Sequence, residues 1–321
     1  MAGLINTRTS TQARTKVLEA TFMNELKAGI PPLYSRVVNV ITPTAKRSVM
    51  TVLPMAGLGT TEFKGEGQAP AYDQPYELIP LSSTFFTYAL AVKATEEAQE
   101  DDISNLVADI PAQLAKSSRD SKDLVINQLF NLAFNANVLY NDGQPLCSTA
   151  HPLGPVSTPT GIFASAGTFS NSLGATALTP ESLQQAYILF ATLLNDRGLP
   201  DQRTPRCLMV PTGMVKQAQE IVGSAKAPYT NDNQVNVLEG TVEVLGNRYL
   251  TNANNWFVLG NQGDPFKGGD NHQLFAAFKK VSAYKAWTDG ETDNYNQKVS
   301  DRYTYNAAGW RGLVGSIGSA G

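Results

Sequence analysis

Cys147 and His151 stand four residues apart, with the hydroxyl residues Ser148 and Thr149 between them. That spacing invites a thiol nucleophile activated by a nearby imidazole. The chemistry needs the base within hydrogen-bond reach and a third group to orient it. No cysteine-enzyme signature surrounds Cys147, and the only other histidine is His272. The plainer reading is a buried apolar cysteine and a turn histidine before Pro152. A Cys-dependent hydrolase stays open as the alternative from another functional class. The two histidines and two cysteines show neither CxxC nor HxxxH spacing. The acids of 96–102 lack the alternating ligand spacing of a calcium loop. Gly65-Glu66-Gly67 and Gly260–Gly263 do not join a strand to a lysine-bearing helix start, so they make poor phosphate cradles. Lys279, Lys280 and Lys285 interleave with Phe278 and Tyr284, a pattern able to touch phosphates. Asp289, Glu291 and Asp293 follow at once, which favours an ordinary strand face. No catalytic residue, metal ligand or cofactor is therefore assigned.

Bulk properties point the same way. The chain has 321 residues, 42% of them apolar and only 17% charged, below the usual quarter. A low charged fraction suits a protein that covers much of its surface with partners. The net charge of −3 disfavours a dedicated nucleic-acid binder. No apolar run reaches membrane-spanning length, and the polar N-terminus MAGLINTRTSTQARTK lacks the apolar core of a secretory signal. Two cysteines make no disulfide framework, which fits a reduced cytoplasmic origin.

The elements that would carry these residues read as α+β. The N-terminal segment reads as an extended arm leading to a helix over Lys16–Ala28, capped by Thr15 and stopped by Gly29 and Pro31–Pro32. Arg36–Thr42 alternates like a strand. Ala94–Asp102 (ATEEAQEDD) reads as an acidic helix. Pro111 suits the first turn of a following long helix that runs to Phe134, its apolar stripe broken by polar Lys116–Lys122. The uncharged stretch Leu153–Pro180 reads as a connector between domains. Thr179 and Pro180 open a helix. Arg206–Val210 predicts a strand and Pro211–Val222 a helix. Asn236–Leu250, Trp256–Leu259, Gln273–Val281, Tyr295–Asn306 and Trp310–Val314 predict strands.

One stretch cannot fold on itself. Ser48–Pro54 and Thr84–Val92 predict two strands around a Gly- and Pro-rich centre. A ribbon with no third strand is marginal in water, and a loop this long is usually functional or disordered. Yet Phe63, Tyr72, Tyr76, Leu78 and Ile79 give that centre substantial apolar surface. The economical reading is a projecting hairpin that packs on another molecule. Charge agrees: residues 1–50 carry seven basic against two acidic residues (net +5), whereas residues 51–102 carry two against nine (net −7). Complementary ends of this kind suit head-to-tail contact between copies.

The order of these segments resembles a tailed-phage major capsid protein, close to the Mu-like major head subunits. The carrying stretches are EFKGEGQAPAYDQPYELIP at 62–80, ATEEAQEDD at 94–102, NDGQPLCSTAHP at 141–152, RCLMVPTGMVKQAQEIV at 206–222, NVLEGTVEVLGNRYLTNANNWFVLG at 236–260 and WRGLV at 310–314. The resemblance implies a Hong-Kong-type capsid fold with an N-terminal arm (1–47), an extended loop (48–92), a peripheral domain with a spine helix (93–180), an axial domain (181–272), and C-terminal strands (273–321) returning to the peripheral domain. It implies a structural, non-enzymatic subunit of the virion that assembles in the host cytoplasm into hexameric and pentameric capsomers, as an icosahedral shell around double-stranded DNA. An encapsulin-like shell around protein cargo is the alternative within this fold. A separate scaffolding protein and a portal are implied partners, with DNA touched weakly and without sequence specificity. The expected subunit contacts are Arg8, Arg14 and Lys16 of the arm and Phe63, Lys64, Tyr72 and Tyr76 of the loop. Some family members join a loop lysine to a neighbour's asparagine. Here Lys64 lies between Glu62 and Glu66, which would keep it charged, so no such crosslink to Asn294, Asn296 or Asn306 is expected.

Overall fold

Helix α1 runs over Thr7–Ala28 and lies along the long helix α3, Leu106–Ile126. In the computed structural model the described residues are 7–29, 31–43, 47–52, 58–75, 77, 80–95, 97–98, 101, 106–152, 167–196, 198–201, 203–226, 235–266 and 271–319. The expectation of an extended N-terminal segment is corrected: the helix begins nine residues before Lys16, at Thr7. Once Leu18 and Phe22 are buried, no Gly or Pro interrupts propagation back along the chain. Phe22 packs with Leu114, Ala115 and Val299, and its ring stacks on Tyr284 at 5.2 Å. Of the acidic helix expected at 94–102, residues 96, 99, 100 and 102 lie outside the described residues; Ala94 still ends a strand, and Glu97 and Ala98 are helical.

Pro111 sits inside α3 rather than opening a second helix. Proline removes the amide that would reach the carbonyl four residues back. That carbonyl, of Val107, instead accepts from the buried side chain of Gln297 at 3.2 Å. An external donor of this kind lets one helix continue through the proline.

A first sheet has the order β1 (Asn39–Ile41), β10 (Leu274–Thr288), β11 (Tyr295–Ala307), β4 (Phe86–Ala94). A second has the order β12 (Leu313–Ser316), β9 (Trp256–Gly260), β7 (Pro205–Pro211), β8 (Glu243–Asn247). Helices α5 (Pro180–Thr192) and α6 (Val215–Gly223) cover one face of the second sheet. Strands β9 and β12, and β7 from Cys207 onward, are buried on both faces, so they read as largely apolar runs. Leu208, Val210, Trp256 and Val258 face α5 and α6. Met209, Phe257 and Leu259 face the other way, into a core shared with Ile126, Phe130, Phe278 and Tyr303. That core joins α3 and the short helix α4 (Gln128–Asn131) to both sheets.

Several expected boundaries move. Thr179 and Pro180 do open α5, through a capping box in which Ser182 N–H donates to Thr179 Oγ1 at 3.2 Å. The strand expected over Asn236–Leu250 is only Glu243–Asn247. Asn236 Nδ2 donates to the Ile221 and Ser224 carbonyls, and residues 237–240 follow as a turn rather than a strand. The strand expected over Arg36–Thr42 shortens to β1 behind a single helical turn, Tyr34–Val37 (α2). The C-terminal block of 273–321 is split: β10 and β11 enter the first sheet, whereas β12 pairs with β9 in the second. Leu313 packs in the core shared by the sheets and Val314 beneath α5, which draws the last strand away from β11.

The projecting hairpin is also narrower than expected. β2 (Val49–Val52) pairs with β3 (Leu81–Thr84) as an isolated two-stranded ribbon. The segment read as its returning strand, Thr84–Val92, mostly belongs to β4, which pairs with β11 from Phe86↔Tyr303 to Ala94↔Tyr295. Buried Phe85 makes the transition, packing with Leu81, Phe275 and Ala277.

Candidate functional site

Between the ribbon strands, residues 58–75 form no regular secondary structure and are exposed except at two glycines. Asp73 ties the legs of this loop together, accepting from Gly59 N–H at 2.7 Å and from Gln74 N–H at 2.9 Å. Gln68 N–H donates to Gly65 C=O at 3.2 Å across the tip. Gly67 has φ +75°, a conformation that side chains disfavour. The loop is thus shaped by its own polar contacts while its apolar side chains find nothing to cover them. Phe63 is 98% exposed and Tyr72 89%. Lys64 is exposed beside them.

Of the other expected contact residues, Lys16 is exposed on α1. Arg8 and Arg14 lie on α1, with their side chains outside what is described, and Tyr76 lies outside the described residues. Leu90 and Leu124, each about half exposed, line an open groove between β4 and α3 together with Arg248 and Tyr249.

The polar interruption of the helix stripe at Lys116–Lys122 has a structural use that periodicity missed. Lys122 Nζ lies 3.1 Å from Asp301 Oδ1, both side chains being buried. Ser118 Oγ donates to Asp301 Oδ2 at 2.7 Å, and Ser282 N–H donates to Asp301 Oδ1 at 2.5 Å. Ser282 has φ +40° at a register shift in β10. The network therefore pins α3 to a β-bulge, a site where strands re-aim. Asp123, one residue on, accepts from Tyr34 N–H at 2.8 Å; burial raises its pKa, and hydrogen bonds from the Tyr34 and Leu33 backbone partly oppose the rise.

Cys147 is not placed as a nucleophile. It is buried, and burial pushes its thiol well above the ordinary range, the opposite of what activation needs. His151 faces elsewhere: Nδ1 lies 2.5 Å from Asp142 Oδ2, and Nε2 lies 3.0 Å from Asn171 Oδ1. Its ring stacks on Trp310 at 4.5 Å. Cys207 is likewise buried, its thiol pushed up to about 12 by burial, then by Glu243. Among the described residues no group of three or more His, Cys, Asp or Glu could hold a metal ion, and no helix is long and apolar enough to cross a membrane.

The profile of the phage capsid protein family matches residues 80–316, which is most of the chain. No curated protein matches. Among solved structures, the capsid of Ralstonia phage GP4 aligns with a TM-score of 0.54 at 8% identity, over 87% of this chain and 86% of that one. The bacteriophage JBD30 capsid aligns with a TM-score of 0.53 at 19% identity, over 70% and 92%. The capsid of a native GTA particle gives a TM-score of 0.53 at 10% identity, over 91% and 92%. At these identities the alignments establish the fold, which is that of phage capsid subunits. With exposed aromatic side chains on a self-shaped loop and its cysteines buried, this chain belongs to the phage capsid protein family and is a structural subunit of the virion shell.

Proposed function

We propose that the chain builds an icosahedral head around double-stranded DNA, using the 58–75 loop as its main inter-subunit contact. The exposure of Phe63 and Tyr72 carries this reading. Two large aromatic rings held in water are unfavourable for an isolated subunit, and become favourable once a neighbour covers them. On that reading the half-exposed Leu90 and Leu124 and the basic Lys116, Arg119 and Arg248 of the groove receive the acidic, aromatic loop of the next copy. Residues 1–47, 48–92, 93–180 with β10 and β11, and 181–272 with β12 are proposed as arm, loop, peripheral and axial parts. Hexameric and pentameric capsomers, a scaffolding protein and a portal are the partners this role requires.

Deleting Gly57–Ala71 tests the reading. The variant should remain a soluble, folded monomer that no longer forms shells, because the loop contributes almost nothing to its own chain's core. Normal shells from the deletion variant would refute it. The basic arm is proposed to dock on an acidic surface of another copy, such as 94–102. Reversing Arg8, Arg14 and Lys16 to Glu should weaken assembly most at low salt, where screening is least; assembly unchanged across salt concentrations would count against that contact.

A further inference from the structure

We propose that the solvent face of β10, β11 and β4 is a contact surface for the phosphate backbone of nucleic acid, so that this side of the subunit faces the packaged DNA. The proposal rests on the capsid reading above. Strand alternation puts Lys280, Lys285 and Trp287 of β10, Lys298 and Arg302 of β11, and Lys93 of β4 on the face opposite α3. Lys279 joins them, its ammonium 4.3 Å from the centre of the Phe85 ring. Register places Lys285 directly opposite Lys298, and Lys280 directly opposite Arg302. Like charges in such pairs destabilise a sheet, so the isolated subunit carries an unfavourable arrangement that a polyanion would offset. Lys285 and Lys298 both lie against the Trp287 ring, at 5.7 and 5.6 Å.

Acids are kept off this face. The only acid within β4, β10 and β11 is Asp301, and it points the other way, to Ser118 and Lys122 of α3. Asp289, Glu291 and Asp293, which in the sequence made these lysines look neutralised, are gathered into the β10–β11 turn. There Asp289 accepts from Glu291 N–H and Thr292 Oγ1. Lysine and arginine heads spread over a sheet suit contact with phosphates, so binding is expected to be independent of sequence and set by counterion release.

The test is fluorescence anisotropy of full-length protein with a short labelled DNA duplex across a salt series, beside negative-stain microscopy. Lys285→Gln with Lys298→Gln is the test variant, Lys285→Gln the milder one, and Lys216→Gln, an exposed lysine of α6, the control. The expected result is weaker binding and a salt slope shallower by about 0.9 for each lysine removed, with the control unchanged and thermal stability equal or higher. An unchanged slope, or no DNA binding by the unaltered protein, overturns the proposal. So does a variant that keeps its DNA binding but stops forming shells, which would make the face a seat for a neighbour's acidic loop. If the unaltered protein binds DNA through these lysines yet forms no shells, the surface stands and the capsid reading fails.

Discussion

The side-chain amide of Gln297 donates to the Val107 carbonyl at 3.2 Å, an acceptor to which Pro111, four residues on in α3, has no amide to donate. The same side chain accepts from Tyr284 Oη at 2.8 Å. One residue of β11 thus completes the long helix and ties it to β10.

Replacing Gln297 with Leu keeps the volume and removes both bonds. The expected loss is about 1–3 kcal/mol, the cost of unpaired buried polar groups, read by denaturant unfolding. Pro111→Ala restores an amide for Val107, so the double variant should lose less than the single changes add up to. Strict additivity would show that the two residues act independently.

Burial, followed by the nearby Arg206 and Arg203, lowers the pKa of His272 to about 3, whereas an unfolded histidine titrates near 6.5. Between these values the unfolded chain binds a proton that the folded chain refuses. Stability should therefore be complete above about pH 6.5 and fall as pH drops towards 3, by at most about 1.4 kcal/mol per pH unit for this group. His272→Gln should flatten the slope of stability against pH by about one proton in that window. An unchanged slope would assign the acid sensitivity to other groups.

Much of the fold was legible because its signals are local. The Thr179–Pro180 helix start is a capping pattern, and the apolar runs at 205–211 and 256–260 allow little besides buried strands. The errors came from long-range partners. Nothing near Pro111 announces Gln297, and nothing near Lys122 announces Asp301, so the sequence places the start of the long helix at Pro111 rather than Leu106 and presents a buried polar seam as an interruption. β4 was assigned to the hairpin because its partner β11 lies some 200 residues away. The exposed loop was legible from the mismatch between its aromatics and its Gly and Pro content. The basic sheet face was not, because in sequence the turn acids follow immediately.

Covalent reinforcement of the shell is not expected. Lys64 is flanked on the loop by Glu62 and Glu66, not by the apolar surroundings that a lysine needs to attack an amide. Boiling mature particles in detergent and reductant should give a single band near 34.5 kDa. A ladder of multimers would overturn this.

Copies of this chain should close into a shell, and negative-stain microscopy of the purified protein would show it. Closed, roughly spherical particles with capsomer texture are expected, lost when Gly57–Ala71 is deleted. Only monomers or open aggregates, across protein concentrations and salt, would contradict it.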